Sequence, residues 1–153
     1  DNDLKKRSET LEAMQNGSDI IYQGFLHNDN FNGFPDFLFK EKGGSDLGEF
    51  HYIIKDTKLA KKTKPSYVIQ LCCYTEMLNK IQRKTPNTAS IILGNEVEDH
   101  IKIKNYFYYY QCLKDSFLEF HENFNADKPP DPSNTKDNKR WSSYNIPLFM
   151  HFL

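Results

Sequence analysis

Asp36, Asp56 and Lys58 are the residues of this chain whose types and spacing point to chemistry. Asp56 and Lys58 close the stretch Tyr52-Ile53-Ile54-Lys55-Asp56-Thr57-Lys58, which reads as a β-strand because aromatic and β-branched residues lead into a polar end. Side chains alternate faces along a strand, so this acid and this lysine project from one face, two residues apart. Upstream, Gly33-Phe34-Pro35-Asp36-Phe37-Leu38-Phe39 puts a second acid at the start of another short apolar strand. Two carboxylates at adjoining strand ends make a hard-oxygen site of the kind that Mg²⁺ or Mn²⁺ takes, with positions left for water and phosphate oxygens. The backbone carbonyl of Thr57 is a candidate third ligand. An ion held there lowers the pKa of a bound water and neutralises charge on a phosphodiester oxygen. Lys58 can orient that water or stabilise the negative charge that develops. Taken alone, an Asp-x-Lys pattern is more often an ordinary surface pair, so the surroundings must decide.

The surroundings add several candidates. Gln70 and Tyr74 lie four apart on a helical pattern, hence on one face, beside Met77 and Ile81. A glutamine amid apolar neighbours needs hydrogen-bond partners. The metal-binding strand can supply them; a satisfied core amide with Tyr74 as core filler is the equal alternative. Lys61, Lys62 and Lys64 follow the acid–lysine pair directly and could track a phosphate backbone, although such a run is commonly only a solvated helix entry. Tyr22 and Gln23 sit on the first strand, where one of them faces the same side as the acids. Glu12, on the first helix, is either a further metal or water ligand or a plain surface acid. Tyr108, Tyr109 and Tyr110 could stack bases, but on an amphipathic helix they read first as core.

Other chemistries find no support. The five histidines are scattered, and the three cysteines, Cys72, Cys73 and Cys112, lack metal-ligand spacing. No Gly-x-Ser-x-Gly elbow and no Walker A loop is present. The net charge of -1 gives no general attraction for nucleic acid, so any basic surface must be local. Buried thiols and the lack of a signal peptide or a membrane-length apolar run point to a reducing intracellular compartment, cytoplasm or nucleus, and to no membrane partner.

The positioning elements follow in order. A helix is expected over Leu4–Asn16 with Gly17 as its C-cap, then a strand over Asp19–Leu26 and a polar turn over His27–Gly33. Strands over Phe34–Lys40 and Glu49–Lys58 flank a turn at Gly43-Gly44-Ser45-Asp46, giving an antiparallel meander. Pro65 opens a helix that ends near Arg83, with Ile69, Cys73, Met77 and Ile81 at helical spacing. Thr88–Leu93 reads as a strand buried on both faces and parallel to a neighbour. An edge strand over Ile101–Lys104 and a helix over Asn105–Phe124 complete the α/β order α-β-β-β-α-β plus a final helix. Residues 1–125 form one domain. Residues 126–153 are a Pro- and Asn-rich extension containing Arg140 and Trp141, leading to a further domain. With no initiator methionine and an apolar Phe-Met-His-Phe-Leu end, the chain reads as a piece of a longer protein.

The ordered set of motifs over roughly residues 8 to 145 resembles the PD-(D/E)XK nuclease superfamily, and within it the RecB-like family found alone or joined to helicase modules. The resemblance runs through Thr10–Met14 and Gly17, Asp19–Gln23, Gly33–Leu38, Asp56–Ala60, Gln70–Tyr74, Leu93-Gly94 and Tyr109-Tyr110. It implies a restriction-endonuclease-like mixed β-sheet flanked by helices with an αβββαβ core. It further implies metal binding by Asp36 and Asp56, Lys58 as the catalytic lysine, and Gln70 with Tyr74 as the trailing motif. The implied activity is Mg²⁺- or Mn²⁺-dependent hydrolysis of single- or double-stranded DNA in repair, recombination or replication, with a helicase on the same or another chain. Many of these relatives carry a cysteine quartet for an iron–sulfur cluster; no cysteine follows Cys112 here, so no cluster is expected. The alternative is a module that keeps this fold and binds nucleic acid or protein without cutting.

Overall fold

The computed structural model describes residues 2–128. The chain divides into two compact units, Asp1–Lys114 and Asp115–Leu153. The first is mixed α/β: helix α1 (Asn2–Gln15), strands β1 (Ile20–Tyr22), β2 (Leu26–His27), β3 (Asn32–Gly33), β4 (Phe37–Ser45) and β5 (Gly48–Lys58), helix α2 (Pro65–Gln82), strands β6 (Thr88–Leu93) and β7 (Glu98–Lys102), a 3₁₀ turn (Ile103–Asn105) and the start of helix α3 (Phe107–Glu122). The second unit holds the rest of α3, where Phe117 and His121 form a ring pair at 6.3 Å. The expected extension, with Arg140 and Trp141, falls almost wholly outside the described residues.

Five strands make one mixed sheet in the order β1-β4-β5-β6-β7, with helices against it. Neighbours pair antiparallel except β5 and β6, which run parallel with Asp56 opposite Ile91. Parallel neighbours need a crossover, and α2 supplies it. Alternation puts Tyr52 and Ile54 of β5 on the face that joins Met14 of α1 and Leu71, Cys72 and Leu78 of α2 in one buried cluster. Each large apolar side chain so buried contributes about 1.5–3 kcal/mol. Asp56 continues that inward register and is therefore only 3% exposed, at the point where the core face runs out.

The expected order of elements holds, and several local expectations are corrected. The strand expected over Asp19–Leu26 stops at Tyr22, because Gln23 takes a left-handed conformation with φ 47°. Leu26–His27 then pairs with Asn32–Gly33 as a separate two-stranded ribbon inside the expected polar turn. The next strand begins at Phe37 rather than Phe34, leaving Pro35 and Asp36 just ahead of it. Gly43 and Gly44 are not a turn but part of β4, where a register shift between Lys42 and Ser45 absorbs them; the turn is Asp46-Leu47. The buried residues of α2 are Val68, Leu71, Cys72, Tyr74, Thr75, Met77, Leu78 and Gln82; of the expected Ile69–Cys73–Met77–Ile81 line Met77 is buried, while Ile69, Cys73 and Ile81 pack half-buried at the edge of the core. Gln82 is fully buried because its amide accepts from the Tyr52 N–H at 2.8 Å and donates to the Tyr52 carbonyl at 3.1 Å, on the edge of β5 that pairs with β6 only from Lys55 onward. The expected edge strand is Glu98–Lys102, ahead of Ile101–Lys104. Of the three consecutive tyrosines only Tyr110 is core; Tyr108 and Tyr109 are 79% and 60% exposed.

Candidate functional site

The site forms where the C-terminal end of β5 meets the segment that enters β4. Asp36, ahead of β4, accepts the Gln23 N–H on its carbonyl at 2.9 Å and points its own N–H at Asp56 Oδ1, 3.4 Å away. Asp36 Oδ2 accepts two bonds from Thr57, one from N–H at 2.8 Å and one from Oγ1 at 2.5 Å. Lys58 Nζ is ion-paired with Asp56 Oδ2. Two acids twenty residues apart in sequence are thus held as neighbours, Asp56 buried and paired with Lys58, Asp36 partly exposed. The Lys58 ammonium pairs with Asp56, while the Asp36 carboxylate is held by neutral donors, so the two acids outnumber the one ion-paired cation.

Helix α2 supplies the side wall. Tyr74 is 8% exposed, and Gln70 Nε2 donates to its Oη at 3.0 Å. Burial pushes the Tyr74 phenol above its ordinary pKa, opposed by the Gln70 bond and reinforced by the negative charges of Asp56 and Asp36. Gly33 is required beside this ring, because a Cβ there would stand 2.6 Å from Tyr74 Cε1. Gly94, just past β6, closes the other side; a Cβ would stand 2.4 Å from the Leu59 carbonyl oxygen, and its N–H donates to the Ala60 carbonyl at 3.1 Å.

Asp36, Asp56, Thr57, Lys58, Gln70 and Tyr74 therefore occupy one region, as their sequence positions led us to expect. Thr57 plays a further part through its donors, which orient Asp36. Tyr67 was missed: its ring lies 5.4 Å from Lys58 Nζ and 5.8 Å from Lys64 Nζ. Its position three residues before Gln70 and seven before Tyr74 is the helical signal that could have found it. Lys61, Lys62 and Lys64 are exposed on the connection from β5 to α2. Gln23 holds Asp36 through its backbone, and it lines a cavity of about 290 Å³ with Lys6, Glu9 and Phe34. Glu12 is exposed on α1.

Among the described residues, no three His, Cys, Asp or Glu side chains form a group that could hold a metal ion by themselves. The donor set at Asp36 and Asp56 is instead a pair of hard carboxylates. Mg²⁺ is commonly held by one or two carboxylates, water and substrate phosphate, so the residues present fit such an ion. All three cysteines are free thiols. Burial pushes Cys72 up to about 11 and raises Cys73 as well. No helix among the described residues is long and apolar enough to cross a membrane. No protein-family model matches the chain, and no curated protein is significantly similar to it.

Proposed function

We propose that this chain is a Mg²⁺- or Mn²⁺-dependent nuclease that hydrolyses DNA phosphodiester bonds. The observation that carries this reading is the convergence of Asp36, Asp56 and Lys58 at the end of β5, with more carboxylate than ammonium charge and a solvent-facing side. Asp36 and Asp56 would hold the ion; Glu12, exposed on α1, has a weaker claim. Bound there, a divalent ion lowers the pKa of its water and neutralises a phosphate oxygen.

The protein groups have separable tasks. Lys58, positioned by Asp56 and by the Tyr67 ring, presents its ammonium to the charge that develops on the phosphate. Thr57 holds the Asp36 carboxylate in one orientation. The buried Tyr74 and the partly exposed Gln70 form a hydrogen-bonded wall beside the two acids, and Tyr74 stays protonated. Lys61, Lys62 and Lys64 offer cations to the flanking backbone. The motif order supports an intracellular role in repair, recombination or replication beside a helicase.

One feature favours the second reading, a binding module that does not cut: Asp56 is already ion-paired with Lys58, and one Asp36 oxygen is already held by Thr57. Cleavage of labelled single- and double-stranded DNA in EDTA, Mg²⁺ or Mn²⁺, with Asp56→Ala and Lys58→Ala alongside, separates the two. Metal-dependent cutting lost in both variants supports the nuclease. DNA retention without cutting, indifferent to metal, supports the binding module.

A further inference from the structure

Leu59, the residue after Lys58, is 98% exposed, the highest value among the exposed large apolar side chains. Single exposed leucines are common on protein surfaces and by themselves mean nothing. This one differs in how its main chain is held. The Leu59 backbone lies against Gly94, so closely that a Cβ at Gly94 would stand 2.4 Å from its carbonyl oxygen. Ala60 accepts the Gly94 N–H at 3.1 Å, and Thr63 Oγ1 donates to Asp99 Oδ2 at 2.6 Å. On the other side Lys58 is tied to Asp56. The loop is thus tethered at both ends and offers an apolar tip to solvent, with the exposed Lys61, Lys62 and Lys64 following within five residues.

An aliphatic tip flanked by cations matches a particular ligand chemistry. Duplex DNA presents phosphates to the lysines, and between its base pairs it presents apolar faces that take a side-chain wedge once a step is opened. Resting on the nuclease reading above, we infer that Leu59 is a positioning wedge. It enters the base step next to the phosphate to be cut, while Lys61 and Lys62 hold the backbone on either side. The substrate class is duplex DNA at an end or junction, opened by one step so that the splayed strand reaches Asp36 and Asp56. The same chemistry on a lipid surface is disfavoured, because one leucine buries far less than even a single acyl chain, which itself binds only marginally.

The test uses the full chain in EDTA, where a metal-dependent enzyme cannot cut, and a duplex carrying 2-aminopurine at the terminal step. Wild type, Leu59→Ala and Leu59→Met are compared. Because the side chain is exposed, all three should melt at the same temperature. Binding by wild type and Leu59→Met should raise the fluorescence as the step opens, and Leu59→Ala should reduce the opening equilibrium about tenfold. An equal rise with Leu59→Ala overturns the wedge. So does DNA retention without any rise in the wild type. Leu59-dependent binding to phosphatidylserine vesicles with no binding to the duplex overturns it in favour of a membrane, and no binding to either also overturns it. Leu59-dependent opening without cutting in Mg²⁺ would sink the nuclease reading alone. Asp56-dependent cutting with opening indifferent to Leu59 would sink the wedge alone.

Discussion

Two acid–lysine constellations in this molecule differ in how completely they are satisfied. Glu76, on the α2 face toward α3, is half-buried; its Oε1 pairs with Lys114 Nζ at 2.5 Å, and its Oε2 accepts from Tyr110 Oη at 2.7 Å and Asn28 Nδ2 at 3.3 Å. One carboxylate meets one cation and two neutral donors. At the end of β5 there are two carboxylates and one ion-paired cation: Lys58 pairs with the buried Asp56, while Asp36 is held through Oδ2 by the neutral donors of Thr57. Buried charge is costly unless paired and bonded. The Glu76 cluster meets that requirement with the chain's own groups and ties α3 to α2. In the β5 cluster the buried acid, Asp56, is paired as well, but the second acid, Asp36, lies partly open to solvent and is held by neutral donors, which leaves it available to a cation from outside.

That contrast predicts opposite outcomes for removing an acid. Asp56→Asn should abolish metal-dependent cleavage, by more than about a hundredfold in kcat, with only a small drop in melting temperature, because the isosteric amide oxygen can still accept from Lys58. A variant that unfolds as readily as it loses activity would make the β5 cluster structural like the other. Glu76→Ala should do the reverse. It leaves Lys114 and Tyr110 without their shared acceptor and should cost about 3 kcal/mol in urea unfolding, while the folded variant still cuts.

Smaller changes sharpen the same division. Gly33→Ala drives a Cβ toward the Tyr74 ring, so it should lower cleavage about tenfold through displacement of the α2 wall. Ala at the exposed, unrelated Glu49 position should do neither. The weakest effect concerns the thiols. Burial, and then the neighbouring Cys73, push Cys72 up to about 11, so the folded state holds its proton more tightly than the unfolded chain. The stability this confers is full below the ordinary thiol value and is lost as pH rises from about 9 to about 11. A melting series over that range should decline, less so in Cys72→Ala relative to its own neutral-pH value. A thiol reagent at neutral pH should modify the exposed Cys112 far faster than Cys72.

Much of this was legible in the residues, for physical reasons. β5 declares itself because its strand residues alternate about a core face and end in polar ones, which also fixes Asp56 and Lys58 on that face. β6 reads as a continuous apolar run because a parallel strand is covered on both sides. α2 is bracketed by Pro65 at its start and by Arg83, left-handed at φ 49°, at its end. What stayed hidden depended on contacts distant in sequence. Nothing local marks Gln23 as the residue that breaks β1, since its backbone conformation is stabilised by the bond to Asp36. Gly43-Gly44 looks like a turn until strand pairing carries the chain through it. Gln82 looks like a surface residue, yet it is buried because the Tyr52 peptide needs its amide. Tyr67 beneath Lys58 and Thr57 bonded to Asp36 are likewise products of tertiary packing.

The most direct test of the central claim is a count of bound Mn²⁺ by electron paramagnetic resonance, in wild type and in Asp56→Asn. The account predicts that the wild type withdraws one Mn²⁺ per chain from solution, that Mg²⁺ competes it away, and that Asp56→Asn withdraws none. Equal binding by both proteins, or none by the wild type in the presence of DNA, would contradict it.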